Sequence, residues 1–397
     1  MFINIFGLFN KKLKQGIDGR KSTLQKLKSN LQENKNTIWL HCASLGEFEQ
    51  GVPVLEKLKL KFSNHQIVVS FFSPSGYDIK KNTDLADVVV YLPWDTKKNA
   101  KKFLDIVNPK IIVFVKYDLW PNFLFEIKRR ELNAILISVA FRKNQTYFKW
   151  YGGFVKSSIF AFKHIFLQNK SSEKLLKSIN YHSTTVTGDT RFDRVLSQLN
   201  IDNTLDFISK FKGNNLCVVC GSTWPEDDKL ILPFINCKDE NLKFIIAPHN
   251  IKKNYISEIE KQLKVPFIKY SEMDASKLDS AKVLIIDTIG LLSRIYSYAD
   301  ISYVGGAAGK TGLHNILEPA VFGTPILIGK NYSKFPEAKE LVKRQGVISV
   351  NDKTELQSQL NQLISNKKLR LKLGNINIQF VEESKDATTK IMEYFDN

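Results

Sequence analysis

The chain has 397 residues, of which 43% are hydrophobic and 11% aromatic, and a formal net charge of +18. This length accommodates two globular domains, each with its own core, and no stretch approaches the roughly 18 consecutive apolar residues that a membrane-spanning helix needs. Four cysteines at irregular spacing exclude a disulfide-stabilised scaffold and fit a reducing compartment.

The positive charge is concentrated in the first half. Residues 1–200 hold 32 basic and 16 acidic side chains, a net charge of +16, whereas residues 201–397 hold 26 and 24, a net charge of +2. This asymmetry indicates an anionic partner for the first half, such as nucleic acid, a phosphate-bearing lipid or an anionic membrane surface. General solubility is the alternative explanation.

The first ten residues are apolar and aromatic, and a basic run follows from Lys11 to Lys21. The segment is too short to span a bilayer and lacks the charged start and small-residue cleavage site of a signal peptide. We expect either an interfacial segment on a membrane surface or an N-terminal helix packed on the first domain.

From Thr37 onward, predicted strands and helices alternate. In the first half the predicted strands are 38–43, 66–72, 88–92, 110–115, 134–139, 165–168 and 184–187, and the predicted helices are 47–62, 95–107, 121–131, 147–162 and 171–179. In the second half the predicted strands are 215–220, 244–247, 283–286, 299–304, 325–328 and 346–350, and the predicted helices are 225–234, 251–263, 291–299, 314–322, 335–344, 353–364 and 369–394. Residues 190–203 are interpreted as the linker.

This alternation predicts two α/β doubly wound domains in tandem, each with a parallel sheet. The expected organisation is a basic N-terminal segment 1–36, a first domain 37–196, a second domain 204–375 and a C-terminal helix 376–397 that returns to the first domain. Ligands of such sheets bind beyond the carboxyl ends of the strands, so a site in a cleft between the domains is expected.

A glycine-rich stretch between residues 304 and 329 has a strand, loop, helix, strand pattern. Its loop contains Gly305, Gly306, Gly309 and Gly312, whose backbone N–H groups can approach a phosphate closely. Asn315 is predicted at the positive end of the following helix. Glu318 is predicted one turn further, where a carboxylate can accept hydrogen bonds from ribose hydroxyls. A nucleotide-type ligand and a purely structural turn both remain open.

Three strand ends of the first half carry polar residues. Glu47 follows Ser44 and Gly46 after the first strand, and it is either a general base or a helix-terminal carboxylate. Lys116, Asp118 and Trp120 follow a later strand, where the tryptophan is alternatively a core anchor. Arg191 lies where the first domain ends and either reaches an anionic group or pairs with a neighbouring aspartate.

Strand ends of the second half carry a similar set. Ser222 and Thr223 offer N–H and hydroxyl groups to a phosphate, Pro248 and His249 end the next strand, and Ile289 and Gly290 follow the one after. Six histidines without metal-ligand spacing make a metal centre an unfavoured interpretation.

These segments, taken in order, resemble those of the 3-deoxy-D-manno-octulosonic acid (Kdo) transferases of lipopolysaccharide synthesis, which have the two-domain GT-B glycosyltransferase fold. Residues 44–47 (SLGE) resemble the family's S-V-G-E segment, 118–122 (DLWPN) the end of E-T-E-L-W-P-N, and 188–193 (GDTRFD) the G-x-x-K-F-D segment. Residues 221–223 (GST) resemble the start of G-S-T-H, 248–249 (PH) stand at Pro-Arg, 289–291 (IGL) at Met-Gly-Glu, and 314–318 (HNILE) resemble H-N-x-L-E.

The resemblance implies that Glu47 is the catalytic base of an inverting transfer of Kdo from CMP-Kdo to a lipid A precursor. We expect Asp118, Lys116 and Arg191 as the other catalytic residues and Ser44, Gly46 and Trp120 on the acceptor side. The expected donor-binding residues are Ser222, Thr223, Pro248, His249, Ile289, Gly290, Leu291, Gly312, His314, Asn315 and Glu318. Lys116 departs from the family, which has a glutamate at this position, and the second family glutamate is shortened to Asp118.

The resemblance further implies no metal and no cofactor, an anionic membrane surface as a partner, and a place on the cytoplasmic face of the bacterial inner membrane, peripheral or monotopic. Another GT-B nucleotide-sugar transferase or epimerase, and a catalytically silent GT-B scaffold, are the alternatives. A basic nucleic-acid-binding protein is a third class, but no basic run interleaved with aromatic residues lies on an obvious recognition element.

Overall fold

The computed structural model describes residues 11–117, 119–237 and 242–396, with the side chains of residues 11–13 excepted. The chain divides into two compact units. The first comprises the residues up to Arg194 together with Ser384–Asn397, and the second comprises Val195–Glu383.

The first unit contains a seven-stranded sheet in the order β3-β2-β1-β4-β5-β6-β7, and every pairing is parallel. Its strands are β1 Thr37–Cys42, β2 Gln66–Phe71, β3 Val88–Tyr91, β4 Pro109–Val115, β5 Ala134–Val139, β6 His164–Leu167 and β7 Thr184–Val186. The sheet interior is rich in Val, Ile, Leu and Phe, because strands covered on both faces bury alternate side chains in two cores.

The helices of the first unit are Lys11–Lys21, Thr23–Asn30, Leu45–Lys61, Pro74–Lys80, Lys97–Val107, Pro121–Arg129, Gly153–Ile159, Lys170–Lys177, Thr190–Leu196 and Ala387–Met392. The predicted helix 147–162 is wrong over its first half, where Thr146–Phe148 form a 3₁₀ turn that leads to Gly152 and Gly153. The boundary between the units, between Arg194 and Val195, falls inside the segment 190–203 that was interpreted as the linker, and Thr190–Leu196 of this segment are helical.

Residues 11–30 pack on the first unit. Arg20 is 8% exposed and donates hydrogen bonds to the carbonyl oxygens of Leu92, Gly16 and Phe72, and its guanidinium lies 4.5 Å from the ring centroids of Phe72 and Trp94. Of the two expectations for the N-terminal segment, a packed helix therefore holds for residues 11–30. Residues 1–10, on which the interfacial alternative depends, lie outside the described residues.

The second unit contains another fully parallel seven-stranded sheet, in the order β10-β11-β9-β8-β12-β13-β14. Its strands are β8 Leu216–Thr223, β9 Leu242–Pro248, β10 Phe267–Lys269, β11 Val283–Ile285, β12 Ile301–Val304, β13 Ile326–Gly329 and β14 Val347–Val350. Its helices are Asp206–Lys212, Pro225–Cys237, Lys253–Gln262, Leu292–Ile295, Leu317–Ala320, Pro336–Lys343, Lys353–Ser365 and Lys367–Glu383.

The single predicted helix 369–394 is two helices. Lys367–Glu383 ends before Asp386, whose φ of 76° lies in the left-handed region, and Ala387–Met392 follows. The Asp193 carboxylate accepts hydrogen bonds from the N–H groups of Asp386 at 2.7 Å and Thr388 at 2.6 Å, which holds the last helix on the first unit. Among the described residues, no helix combines the length and the apolar character that crossing a membrane requires.

Candidate active site

The turn after β1 carries Ser44, Gly46 and Glu47. Glu47 lies in the first turn of helix Leu45–Lys61, and the N–H of Ala43 donates to its Oε2 at 2.5 Å. Ser44 is the N-cap residue, but its side chain makes no capping hydrogen bond. A carboxylate has several acceptor sites, so this bond orients Glu47 without occupying all of them.

Gly46 in the same turn is exposed, and a Cβ built on it would meet no atom of the described residues within 4 Å. Its φ is not among the positive values of the chain, so the backbone conformation is open to any residue. Neither packing nor conformation explains a glycine here, although glycine inside a helix costs about 0.5–1 kcal/mol relative to alanine. The turn is thereby left open to the close approach of a ligand.

The end of β4 lies beside the end of β1, because these two strands pair in parallel at the centre of the sheet. The strand order reverses between β1 and β4, which makes their carboxyl ends the topological switch point where ligands of doubly wound sheets bind. Lys116 directly follows β4 with a φ of 63°, and its N–H bonds the Ile137 carbonyl at 2.9 Å. A lysine in this conformation costs about 1–3 kcal/mol, and such strain is often found at functional sites. Asp118 lies outside the described residues.

Trp120 belongs to a polar chain that continues into the core. Its indole Nε1–H donates to His41 Nε2 at 2.9 Å, and His41 Nδ1 lies 2.8 Å from the hydroxyl of Ser70. Indole nitrogen is only a donor, so His41 Nε2 must accept and Nδ1 carries the proton. Ser70 also accepts from Trp39 Nε1 at 2.8 Å. Trp120 is therefore held in place from inside the unit, in addition to its ring contact with Phe72 at 4.7 Å.

Asp95 positions the helix that follows Trp120. Its carboxylate accepts from the N–H of Asn122 at 3.2 Å and from the N–H of Phe123 at 3.1 Å, and it also binds the Asn122 amide at 3.1 Å. Pro121 occupies the first helical position, where no N–H is needed. The proline and asparagine of this motif thus serve the structure of the strand end.

Arg191 forms a salt bridge with Asp189, which was the simpler of its two interpretations. Arg191 Nε and Nη2 both lie 2.9 Å from Asp189 Oδ2, and the N–H of Arg191 bonds Oδ1 at 2.9 Å. Asp189 is 7% exposed and also accepts from Gln50 Nε2 at 3.1 Å. The carboxylate fixes the guanidinium to the helix Leu45–Lys61, whose first turn carries Glu47. A catalytic role for Arg191 stays a prediction.

In the second unit, the expected donor-binding residues lie in the last residues of four neighbouring strands, β11, β9, β8 and β12, or after their ends. The strands are parallel, so their carboxyl ends share one edge. Three aromatic rings meet there: Trp224 stacks on His249 at 4.7 Å between centroids, His249 lies 4.4 Å from His314, and Trp224 Nε1 donates to His314 Nε2 at 3.0 Å. Burial is the larger cause and the charge of the nearby His249 the smaller cause of a lowered His314 pKa, which is about 4. His314 is therefore neutral at pH 7.

Asp227 organises the glycine-rich loop from beneath. Its side chain is fully buried and accepts from the N–H of Gly306 at 2.8 Å, from the N–H of Trp224 at 2.9 Å and from the hydroxyl of Tyr303 at 2.8 Å. Burial raises the pKa of Asp227 and these hydrogen bonds oppose the rise. One loop N–H that could have faced a phosphate is therefore bound to a side chain of the same unit.

Close packing within the unit explains most of the loop's glycines. A Cβ on Gly305 would lie 2.4 Å from the Ser222 carbonyl oxygen, and one on Gly306 would lie 2.0 Å from that of Gly312. Gly306 and Gly312 also have φ values of 96° and 99°. Asn331 Nδ2 donates to the carbonyl of Gly309 at 2.7 Å and ties the loop to the end of β13. The structural interpretation of these glycines is thus the one the geometry favours.

The helix expected at 314–322 is wrong in length. Only Leu317–Ala320 are helical, because Asn315 instead accepts from the N–H of Leu317 at 3.2 Å in a turn. A helix of four residues has too small a dipole to bind an anion at its start. Asn315 Nδ2 donates to Glu318 Oε1 at 3.0 Å, so the two residues predicted to bind a nucleotide do lie side by side.

The remaining donor-side residues lie at the same edge with different exposure. Ser222 sits at an irregularity of β8 with a φ of 55°, Thr223 and Pro248 are buried, and Ile289 is 62% exposed. Gly290 has a φ of 98° and open space around it, and the half-buried Leu291 precedes helix Leu292–Ile295.

Sequence reasoning did not find Trp224, Asp227 or His41 as parts of these arrangements. Trp224 follows Gly-Ser-Thr directly and its position was a usable signal. Asp227 and His41 gave no local signal, because their partners Gly306 and Trp120 are 79 positions away in each case.

Two sheets of Rossmann type, each with polar and strained residues at the carboxyl ends of its strands, define the GT-B fold. Solved structures are similar to the chain over most of its length. The UDP-GlcNAc 2-epimerase of Neisseria meningitidis has a TM-score of 0.65 at 16% identity, over 91% of this chain and 100% of that chain. A glycosyltransferase of Rickettsia africae has a TM-score of 0.57 at 14% identity, over 91% and 98%. Likeness at this identity shows the fold.

Sequence comparisons match the chain to one family. Residues 16–194 match the model of the 3-deoxy-D-manno-octulosonic-acid transferase (kdotransferase) family. The 3-deoxy-D-manno-octulosonic acid transferase of Haemophilus influenzae is 26% identical over 90% of this chain and 86% of its own length, and that of Aquifex aeolicus is 27% identical over 86% and 90%. The chain is thus similar to the kdotransferases over most of its length, and the resemblance drawn from its motifs is confirmed.

Proposed function

We propose that the chain is an inverting glycosyltransferase that moves Kdo from CMP-Kdo to a lipid A precursor in lipopolysaccharide synthesis. The observation that carries the proposal is the position of Glu47. It lies inside the segment that matches the family, at the β1/β4 switch point of the first sheet, in a turn where the described residues leave space beside Gly46.

In this reaction Glu47 takes the proton of the attacking sugar hydroxyl. The oxygen of that hydroxyl forms a bond to the anomeric carbon of Kdo while the bond from this carbon to the CMP phosphate oxygen breaks, and CMP leaves as an anion. Attack opposite to the leaving group inverts the anomeric centre. The Ala43 N–H keeps the carboxylate oriented and stabilises its charged form, and general base catalysis of this kind contributes roughly 10²–10⁴-fold to a rate.

The second unit is the proposed donor site. Asn315 and Glu318, already bonded to each other, provide an amide and a carboxylate for the ribose, and the face formed by Trp224, His249 and His314 is suited to contact a flat base. Because His314 is neutral and the helix after Asn315 is short, the phosphate must be held by loop N–H groups and by other side chains. The proposal includes no metal and no cofactor.

Lys116 stands where the family has a glutamate. The side chain leaves a strained backbone position at the end of β4, next to the strand that leads to Glu47. A cation there can stabilise the charge of the departing CMP, whereas the family carboxylate cannot. The Lys116→Glu variant tests this directly: a lower transfer rate supports a role for the cation, and an unchanged or higher rate argues against it.

The acceptor is an anionic amphiphile, and the basic excess lies in the half that carries Glu47. We therefore infer a peripheral or monotopic place on the cytoplasmic face of the bacterial inner membrane and no nucleic-acid partner.

Nucleotide selectivity tests the proposal. CMP should raise the midpoint of thermal unfolding and UDP should not, because a ligand that binds only the folded state stabilises it. Protection by UDP alone would overturn the proposal in favour of a UDP-sugar enzyme. With CMP-Kdo and a lipid A precursor, the wild type should transfer Kdo, and absence of transfer by a folded, CMP-binding protein would indicate a silent scaffold.

A further inference from the structure

One region of the first unit combines exposed aromatic rings with basic residues for which the described part of the chain provides no acidic partner. Residues 132–172 contain no Asp or Glu, and their basic residues are Arg142, Lys143, Lys149, Lys156, Lys163 and Lys170. None of the six forms an ion pair in the part of the chain that the structure describes. We call residues 142–160 the aromatic–basic turn.

Three aromatic side chains of the aromatic–basic turn are strongly exposed. Trp150 is 93% exposed, Tyr151 62% and Phe154 63%. Trp150 is the most exposed large hydrophobic side chain among the described residues. Clusters of exposed aromatic residues are rare on a protein that has no partner for them, because burying them would be favourable.

The exposure comes from a defined backbone. The N–H of Lys149 bonds the Thr146 carbonyl at 3.1 Å, and the N–H of Gly152 bonds the Lys149 carbonyl at 3.0 Å. A Cβ on Gly152 would lie 1.7 Å from the Thr146 oxygen, so only glycine permits this closure. The ring of Phe148 packs 5.5 Å from the buried Phe141 and attaches the turn to the core. Trp150 and Tyr151 are thus presented at the tip of a closed turn.

We propose that the aromatic–basic turn docks the first unit on an anionic lipid bilayer. Tryptophan and tyrosine prefer the boundary between headgroups and acyl chains, where one part of the ring is apolar and another is polar. Each lysine near an anionic surface adds roughly 1 kcal/mol of attraction, about a fivefold gain in binding. The absence of acidic residues over 132–172 makes the charge of the region complementary to such a surface. The proposal rests on the proposed function for its purpose, which is access to a lipid acceptor.

A single-stranded nucleic acid is the other polyanion that binds aromatic and basic side chains together. It requires stacking platforms spaced along a groove that follows the backbone of the strand. Here the exposed rings of Trp150 and Tyr151 contact each other at 5.6 Å, with planes at 88°, at the tip of one turn. This geometry favours shallow insertion into a lipid surface.

The test is binding of the full chain to lipid vesicles, measured by co-sedimentation. Vesicles containing phosphatidylglycerol should bind the protein and pure phosphatidylcholine vesicles should bind it weakly, with a loss of binding as salt rises. The Trp150→Ser/Tyr151→Ser variant should bind at least about tenfold more weakly, because both signals are needed for stable attachment. Leu60→Ser is the matched control, since Leu60 is 75% exposed on the same unit, and it should bind like the wild type.

Spectroscopy locates the contact. Brominated lipids should quench the tryptophan emission of the wild type and quench that of Trp150→Phe less. Unchanged binding by Trp150→Ser/Tyr151→Ser would overturn the proposal. The proposal would also be wrong if vesicle binding were lost in Phe6→Ser/Phe9→Ser but unaffected in Trp150→Ser/Tyr151→Ser, which we call the turn variant. Binding of single-stranded RNA through the turn, without binding of vesicles, would contradict it as well.

Transfer assays separate this proposal from the proposed function. With a deacylated acceptor in solution the turn variant should transfer at the wild-type rate, and with acceptor in vesicles it should be slower. Vesicle binding through the turn without any Kdo transfer would defeat the proposed function alone. Full transfer from vesicles by the turn variant would defeat the docking proposal alone.

Discussion

The strand ends of the two units use glycine for different reasons. In the second unit, Gly305 and Gly306 face backbone atoms of their own unit at distances that exclude a Cβ, and a buried aspartate binds the N–H of Gly306. In the first unit, Gly46 has open space around it and an unstrained backbone. The glycine-rich loop needs its glycines for close packing, whereas none of the described residues requires a glycine at position 46.

The glycine-rich loop is therefore weaker evidence for a ligand site than the turn that carries Glu47. The dense glycine pattern of residues 305–312 is the more conspicuous feature of the sequence, but its structural requirement makes it weak evidence for a phosphate. The turn at 44–47 is inconspicuous, yet it contains a serine without its capping bond, a glycine without a packing role and a carboxylate at the switch point. A ligand-facing turn explains all three.

The largest effect is expected for Glu47→Gln. Loss of the general base should lower the rate of Kdo transfer by at least roughly 100-fold, while the amide can still accept the Ala43 N–H and preserve the turn. Transfer rates and thermal unfolding are measured together.

Glu49→Gln is the matched control on the same helix. Glu49 pairs with Lys80 at 2.8 Å and Arg194 at 2.9 Å at a partly exposed position, so its loss should cost no more than about 1 kcal/mol of stability and leave transfer nearly unchanged. If Glu47→Gln and Glu49→Gln lost transfer activity equally, the assignment of Glu47 as the general base would be contradicted.

Gly305→Ala should destabilise the second unit by about 3 kcal/mol. The new methyl group would meet the Ser222 carbonyl and the Thr223 Cα, which are backbone atoms and cannot move away as a flexible side chain can. Denaturant unfolding checks this, and CMP binding should fall in parallel. A stable Gly305→Ala variant that merely loses CMP binding would show that this glycine serves the ligand after all.

The pH dependence of stability reports on His314. Its pKa is about 4 in the folded protein and about 6.5 in an unfolded chain. Between these values the unfolded chain binds a proton that the folded chain does not, so stability is lost as the pH falls below about 6.5. By pH 5 the loss should be about 1–2 kcal/mol. His314→Gln should remove this part of the slope in denaturant titrations at pH 7 and pH 5.

Asp228 provides a contrast of opposite sign. Burial raises its pKa to about 6, against the hydrogen bond from the Tyr255 hydroxyl, so its contribution is present at low pH and lost as the pH rises through 6. Asp228→Asn should therefore make the loss of stability on acidification steeper. If Asp228→Asn and His314→Gln showed the same dependence of stability on pH, the opposite pKa shifts assigned to Asp228 and His314 would be contradicted.

Trp120→Phe should cost about 1–2 kcal/mol, because the Nε2 of the fully buried His41 loses its donor. The Trp150→Phe variant is the control, since Trp150 is exposed. If Trp120→Phe is as stable as the wild type but transfers slowly, then contact with the acceptor, and not the internal hydrogen bond, is the main role of Trp120.

The sequence was sufficient for the fold class because alternation of strands and helices is a local property. Both parallel sheets were predicted, and the family resemblance led to Glu47 at a strand end. The helix Leu317–Ala320 was predicted too long because the buried residues on either side of it, Ile316 and Val321, continue the apolar pattern beyond the helix. The partnership of Trp120 with His41 was missed because it depends on the pairing of β1 with β4, which no local pattern reveals.

Gly46→Ala is expected to change stability least among these variants. It best distinguishes a glycine required for packing from a glycine that leaves space for a ligand. Alanine should raise the stability of the first unit by about 0.5 kcal/mol, since it fits the helix and meets no neighbour. Transfer should nevertheless fall if the acceptor approaches this turn, with a rise in KM for the acceptor and no change in CMP binding. Gly153→Ala is the matched control, because Gly153 also begins a helix with open space around it. It should gain similar stability and keep full activity on a deacylated acceptor. A Gly46→Ala enzyme that is both more stable and fully active would mean that no ligand needs the space beside Glu47, and the open turn would then lose its value as the marker of the acceptor site.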